Sequence, residues 1–135
     1  MSDYYRFFFA HSANDSDETI DSRRGKILAL LEAEGIEGDL VNGRDDFREN
    51  APSNGGWRGW PADVVYRQDW TTGGPYFQGF IAGSREIGKA TAEILFRAMQ
   101  EGRPVYVLTD DDALAEVSKV NCFDSQDSAA GWVLE

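Results

Sequence analysis

Several chemistries are short of material in this chain. Among 135 residues there is one cysteine, Cys122, and one histidine, His11. A lone cysteine excludes an internal disulfide, and with a single histidine it leaves too few ligands for a Cys/His zinc site. Positive charge is scarce as well: 13 Lys and Arg stand against 24 Asp and Glu, a net charge of −11. Such a field repels a phosphate backbone, and the ten arginines and three lysines form no stripe, so nucleic acid is not an expected partner. A local group of two or three arginines can still hold a small anion. No apolar run approaches the ~18 residues of a membrane span, so no membrane partner is expected. The opening "MSDYYRFFFAHS" has no basic stretch ahead of its apolar run and no small-residue cleavage signal. It is expected to be a strand rather than a secretory leader, and the chain cytoplasmic.

What is present is an alternation of strands and helices, in a length that suits one domain over residues 1–135. "YYRFFFA", residues 4–10, is a continuous aromatic run of the kind found in a strand buried on both faces. The polar stretch after it leads into a helix expected over residues 21–34, with Ile27, Leu28, Leu30 and Leu31 as its apolar stripe and Gly35 as its stop. "GDLVNG" then reads as a second strand, completing a β-α-β unit. Strand three is expected over 76–83, a helix over 85–101 and strand four over 103–109. The acidic "DDDALAEVSKV" suggests a short helix, and "GWVLE" a terminal edge strand. Between strands two and three, residues 43–75 carry most of the Gly/Pro/Asn punctuation and three of the four tryptophans. An irregular stretch of that length inside a compact domain points to a functional loop, with a short helix conceivable at 61–70. The expected fold is α/β: a doubly wound, flavodoxin-like or Rossmann-like three-layer sandwich on a mainly parallel four- to five-stranded sheet.

In such sheets a ligand sits off the carboxyl ends of the strands, where the strand order reverses. The loops after strands one, two and three place His11, Ser12, Arg44, Asp45, Asp46, Gly83, Ser84 and Arg85 around one crevice. The start of the second helix, near Ser84, would offer free backbone N–H groups to a phosphate or carboxylate, and Gly83 would let the backbone come close. Trp57 and its neighbours suit stacking on a flat base. Each feature also has a plain reading: Ser84 as a helix cap, His11 as a structural histidine, Asp45-Asp46 as a turn, the tryptophans as sheet cover. Glu93 is the sharpest case. It falls off the apolar face of its helix, with Lys89 four residues before and Arg97 four after, so an exposed ion-paired glutamate would explain it. Phe96 shares that outer side, however, and a phenylalanine there implies a cover, supplied by the 43–75 loop or by a second subunit.

"FFFAHS" at the end of strand one and "GSREIGKATAEILFRAMQEGRPVYVL" near the C-terminus resemble the nucleoside 2-deoxyribosyltransferase superfamily, which includes the deoxynucleoside-monophosphate N-glycosidases. The shared pattern is a strand ending in a small/polar motif, then a Gly-containing loop, a helix with a glutamate, and "GRPV" before a strand. The resemblance covers about half the chain and implies cleavage or transfer at an N-glycosidic bond, without metal or organic cofactor. It assigns Glu93 as nucleophile, Asp69 or His11 as proton handler, and Ser84 with Arg85 as phosphate contacts. Gln78 and Gly79 stand where the family carries an aspartate, so an acidic partner would come from Asp69 or Asp46. The opening "YYRFFFAHSANDSDE" also looks like a TIR domain, whose NAD-cleaving members use a glutamate on a comparable helix. The partner implied is a small nucleoside or nucleotide; the alternatives are a nucleotide-binding module without catalysis and a structural interaction domain. A homodimer would explain the outer face of the second helix.

Overall fold

The computed structural model describes residues 4–11, 16–42, 66, 73–123 and 131–135. Strand β1 (Tyr4–Ala10) is the aromatic run. It is followed by helix α1 (Asp17–Ala33) and strand β2 (Glu37–Asn42). The helix starts a turn earlier than its apolar stripe suggests, because Ser16 caps it. The Ser16 hydroxyl accepts the Thr19 N–H at 3.1 Å, and Asp17 and Glu18 sit at the positive end of the helix dipole. The helix stops where expected, at Gly35. There φ is +74°, and the N–H groups of Gly35 and Ile36 turn back to the carbonyls of Glu32 and Leu31.

The second half runs through β3 (Gly79–Ala82), β4 (Glu86–Ile87), α2 (Lys89–Gln100), β5 (Val105–Leu108), β6 (Leu114–Glu116), β7 (Val120–Phe123) and β8 (Gly131–Leu134). Five strands form one sheet in the order β2-β1-β3-β5-β6; the first four are parallel and β6 is antiparallel. The architecture is therefore α/β, with a mixed, mostly parallel sheet and two described helices. Alternation along the strands divides the core in two. Phe7, Phe9 and Ile81 share one cluster with Ile20, Ile27 and Leu31 of α1. Phe8, Ala10, Phe80 and Ala82 share the other with Ile94, Leu95 and Ala98 of α2.

Four expectations need correction. The strand expected over 76–83 is regular only from Gly79: at Gln78 the main-chain N–H still donates to the Arg6 carbonyl at 3.0 Å, but the side-chain Oε1, in place of a main-chain carbonyl, accepts the Arg6 N–H at 2.7 Å. The helix expected from residue 85 begins at Lys89, since Glu86 and Ile87 pair with Val133 and Trp132 instead. The acidic segment is not a helix. A tight turn at 109–113, with Asp112 at φ 54°, folds Leu114–Glu116 back against β5. Finally, "GWVL" is not an edge strand: β8 lies between β4 and β7 in a separate three-stranded antiparallel sheet. That sheet packs on the α2 side, where Leu134 is fully buried. Most of residues 43–75 lies outside the described residues. Tyr66 is the exception that reaches the core, stacked on Phe80 with centroids 5.7 Å apart and donating its hydroxyl hydrogen to the Ile94 carbonyl.

Candidate functional site

The parallel strand order reverses between β1 and β3. These two strands are neighbours, with Ala10 in register with Ala82 and the Gly83 N–H donating to the Ala10 carbonyl at 3.0 Å. Their carboxyl ends therefore bring His11 and Gly83 side by side. Parity places both on the α1 face, two residues beyond Phe9 and Ile81. The His11 ring stands edge-on to Phe9, with centroids 5.6 Å apart. Gly83 lies against the same phenylalanine: a Cβ there would be 2.9 Å from Phe9 Cε1 and 3.2 Å from Cδ of Arg23. The absent side chain is what lets the aliphatic stem of Arg23 cross the loop backbone. At the end of β2, Asn42 is in register with Phe9 and is the buried polar residue of the described core.

Arg23 and Asn42 are the members of this group that sequence reasoning missed, and Arg23 left a signal. Ile20, Ile27 and Leu31 are the buried residues of α1, and Arg23-Arg24 falls three and four residues after Ile20, on the inward stripe. Both arginines are half-buried. A cation on the core-facing side of a helix, at the end nearest the carboxyl edge, is a pattern that placing the helix start at residue 21 concealed. Arginine suits a phosphate or carboxylate there because its planar fork makes paired hydrogen bonds.

The expected phosphate contacts on the following loop are differently occupied. The Ser84 hydroxyl accepts the Glu86 N–H at 3.3 Å and does not cap α2, whose N-cap is Gly88 with no side-chain bond. Arg85 donates from Nη1 to the Leu134 carbonyl at 3.1 Å, which ties it to β8. Glu93 is exposed on α2, the helix of the opposite face. Its expected partner Arg97 lies with Cζ 4.2 Å from the centroid of Tyr66, and no ion pair joins the two. Phe96 is 52% exposed, so nothing among the described residues covers that side. Ser12, Arg44, Asp45, Asp46, Trp57 and Asp69 lie outside the described residues.

The described residues thus bring His11, Gly83, Arg23 and Asn42 together on one face of the carboxyl edge, with Ser84 next in the loop. Glu93 stands on the other side of the sheet. No group of acidic, histidine or cysteine side chains suited to a metal ion occurs among the described residues, and no described helix is long and apolar enough to cross a membrane. Comparison with known proteins found no match: no family model, no curated protein and no solved structure matches this chain.

Proposed function

We propose that this chain binds a small nucleoside or nucleotide at the carboxyl edge between β1 and β3 and cleaves or transfers at its N-glycosidic bond, with Glu93 as the nucleophile. The observation that carries the binding half is the reversal of strand order between β1 and β3, with an inward-facing arginine, Arg23, at that edge. In open α/β sheets such a reversal splays two loops apart and leaves a crevice for a ligand. The reading takes the chain as a doubly wound, flavodoxin-like three-layer domain. The strand order β2-β1-β3-β5 supports this, as do the separate core clusters of α1 and α2. Arg23 replaces Arg85 as the cation for the ligand's phosphate.

The chemical half rests on the resemblance to the deoxyribosyltransferase superfamily. The Glu93 carboxylate adds to the anomeric carbon as the C–N bond breaks; the base leaves with the bonding pair and takes a proton relayed by His11 or Asp69. Water, or a second base in a transfer, then displaces the sugar from Glu93 and restores the carboxylate. A homodimer through the outer face of α2 would cover Phe96 and exclude water from Glu93.

A second reading, nucleotide binding without cleavage, is favoured by the exposure of Glu93 on the face of the sheet opposite Arg23. One experiment separates them. The protein is incubated with nucleosides, deoxynucleoside monophosphates and NAD, and free base is resolved by chromatography. Release of base supports the enzyme; a ligand that raises the melting temperature and is returned intact supports the binder. Absence of both effects with every compound overturns the two readings together.

A further inference from the structure

A second concavity lies on the α1 face, away from the β1–β3 crevice. Between the last turns of α1 and the β5–β6 hairpin, the α1 face opens into a cleft of about 530 Å³, within the usual range for small-molecule sites. Its origin is a missing side chain. Phe7 is in register with Gly79, where a Cβ would fall 2.7 Å from Cδ1 and Cε1 of the Phe7 ring. The ring therefore lies across the glycine and becomes part of the cleft lining, with Leu31 of α1 on one side and Tyr106 and Leu114 on the other. The helix and hairpin that wall it are joined by Lys26 and Asp112, Nζ to Oδ1 at 3.1 Å. Among the described residues, α2 and the three-stranded sheet pack on the other face, so the β5–β6 side of this one has no second helix over it.

The lining has a definite chemistry. It is apolar with three aromatic rings, those of Tyr106 and of Tyr5 and Phe7, the last two stacked with centroids 5.8 Å apart, and it carries one ionisable carboxylate, that of Glu34. Glu34 is the C-cap of α1, whose last turn has no basic residue. The negative end of the helix dipole and the Glu34 carboxylate therefore add charge of the same sign at one end of the cleft, in a chain of net charge −11. A flat ring against Tyr5 and Tyr106 with a positive group at the rim satisfies both features. We infer that this cleft binds a small aromatic amine in its cationic form, with the ring against the partly exposed Tyr5 and Tyr106 and the ammonium group at Glu34. This site shares no residue with the crevice between β1 and β3: it runs from Tyr5 and Phe7 near the amino end of β1 across to Ala113 and Leu114 of the β5–β6 hairpin.

Titration calorimetry and thermal melting with tryptamine, indole-3-acetate and indole test the inference. These probes share one ring and differ in charge. Tryptamine is expected to bind saturably and raise the melting temperature, and indole-3-acetate to do neither. Glu34→Gln should weaken tryptamine roughly fivefold, the scale of an ion pair at a protein surface. Ala33→Trp, which places an indole at the mouth, should abolish binding with the far-UV spectrum unchanged. Equal binding of the amine and the acid, or unchanged affinity in Glu34→Gln, would overturn the assignment even if Ala33→Trp failed to fold. So would a self-association that Ala33→Trp disrupts while no probe binds; that result would make the cleft a contact between copies.

Discussion

Arg85 and Leu134 hold each other twice: Nη1 of Arg85 donates to the Leu134 carbonyl at 3.1 Å, and the Leu134 N–H donates to the Arg85 carbonyl at 2.9 Å. The pair fastens the loop after β3 to the small antiparallel sheet. It also engages one arm of the Arg85 guanidinium in the fold, and the proposed reading gives the ligand's phosphate to Arg23 at the carboxyl edge. Arg85→Ala should lower stability by about 1 kcal/mol, as loss of a partly buried hydrogen bond does, without changing nucleotide affinity. Arg23→Ala should weaken a phosphorylated ligand about tenfold or more, and the unphosphorylated nucleoside little. Urea unfolding and calorimetry on the two variants give both numbers.

Tyr66 has an alkaline signature. Burial, helped by the nearby Glu101 carboxylate, raises its phenol above the ordinary value of 10.0, while the guanidinium groups of Arg103 and Arg97 oppose the shift. Below pH 10 the phenol is protonated in folded and unfolded chains alike and adds no pH dependence. Above that, the unfolded chain releases the proton and the folded one keeps it, so stability falls as pH rises. The slope from this one group reaches at most about 1.4 kcal/mol per pH unit. Tyr66→Phe should cost about 1 kcal/mol at neutral pH through loss of the bond to Ile94, and should flatten the decline above pH 10. Denaturant midpoints measured from pH 7 to 11 on both proteins check this.

Gly83 is where the loop backbone and two side chains meet. A methyl group placed there would be 2.9 Å from Phe9 Cε1 and 3.2 Å from Arg23 Cδ. The arginine stem can swing aside, but Phe9 is fully buried and cannot. Gly83→Ala should therefore destabilise the fold by about 1–3 kcal/mol, the usual scale of overpacking, and weaken ligand binding through displacement of Arg23. Thermal melts with and without nucleotide separate the two effects.

The parts of the fold with strong local signals were legible before the structure. β1 occupies residues 4–10 as its aromatic run implies, and Gly35 ends α1 as its position implies. The parts that differ depend on distant partners. Leu114–Glu116 has no helical or strand periodicity of its own and becomes a strand because β5 offers an open edge. Glu86–Ile87 would extend the helix, but β8 takes its backbone groups into a second sheet from more than forty residues away. The candidate site divides in the same way. The alternation of strands and helices put the loops after β1 and β3 at one edge, and so His11 and Gly83 together, whereas the roles of Ser84 and Arg85 turned on β4 and β8, which local sequence does not announce.

The central claim is most directly tested by the rate of free-base release from deoxynucleoside monophosphates, nucleosides and NAD, measured for the wild-type chain and for Glu93→Gln. Glu93 is exposed, so the substitution should leave folding and melting temperature unchanged. The expected result is base release from one of these substrates that falls by about two orders of magnitude or more when the nucleophile is removed. Equal rates in the two proteins, or no base from any substrate, would contradict it.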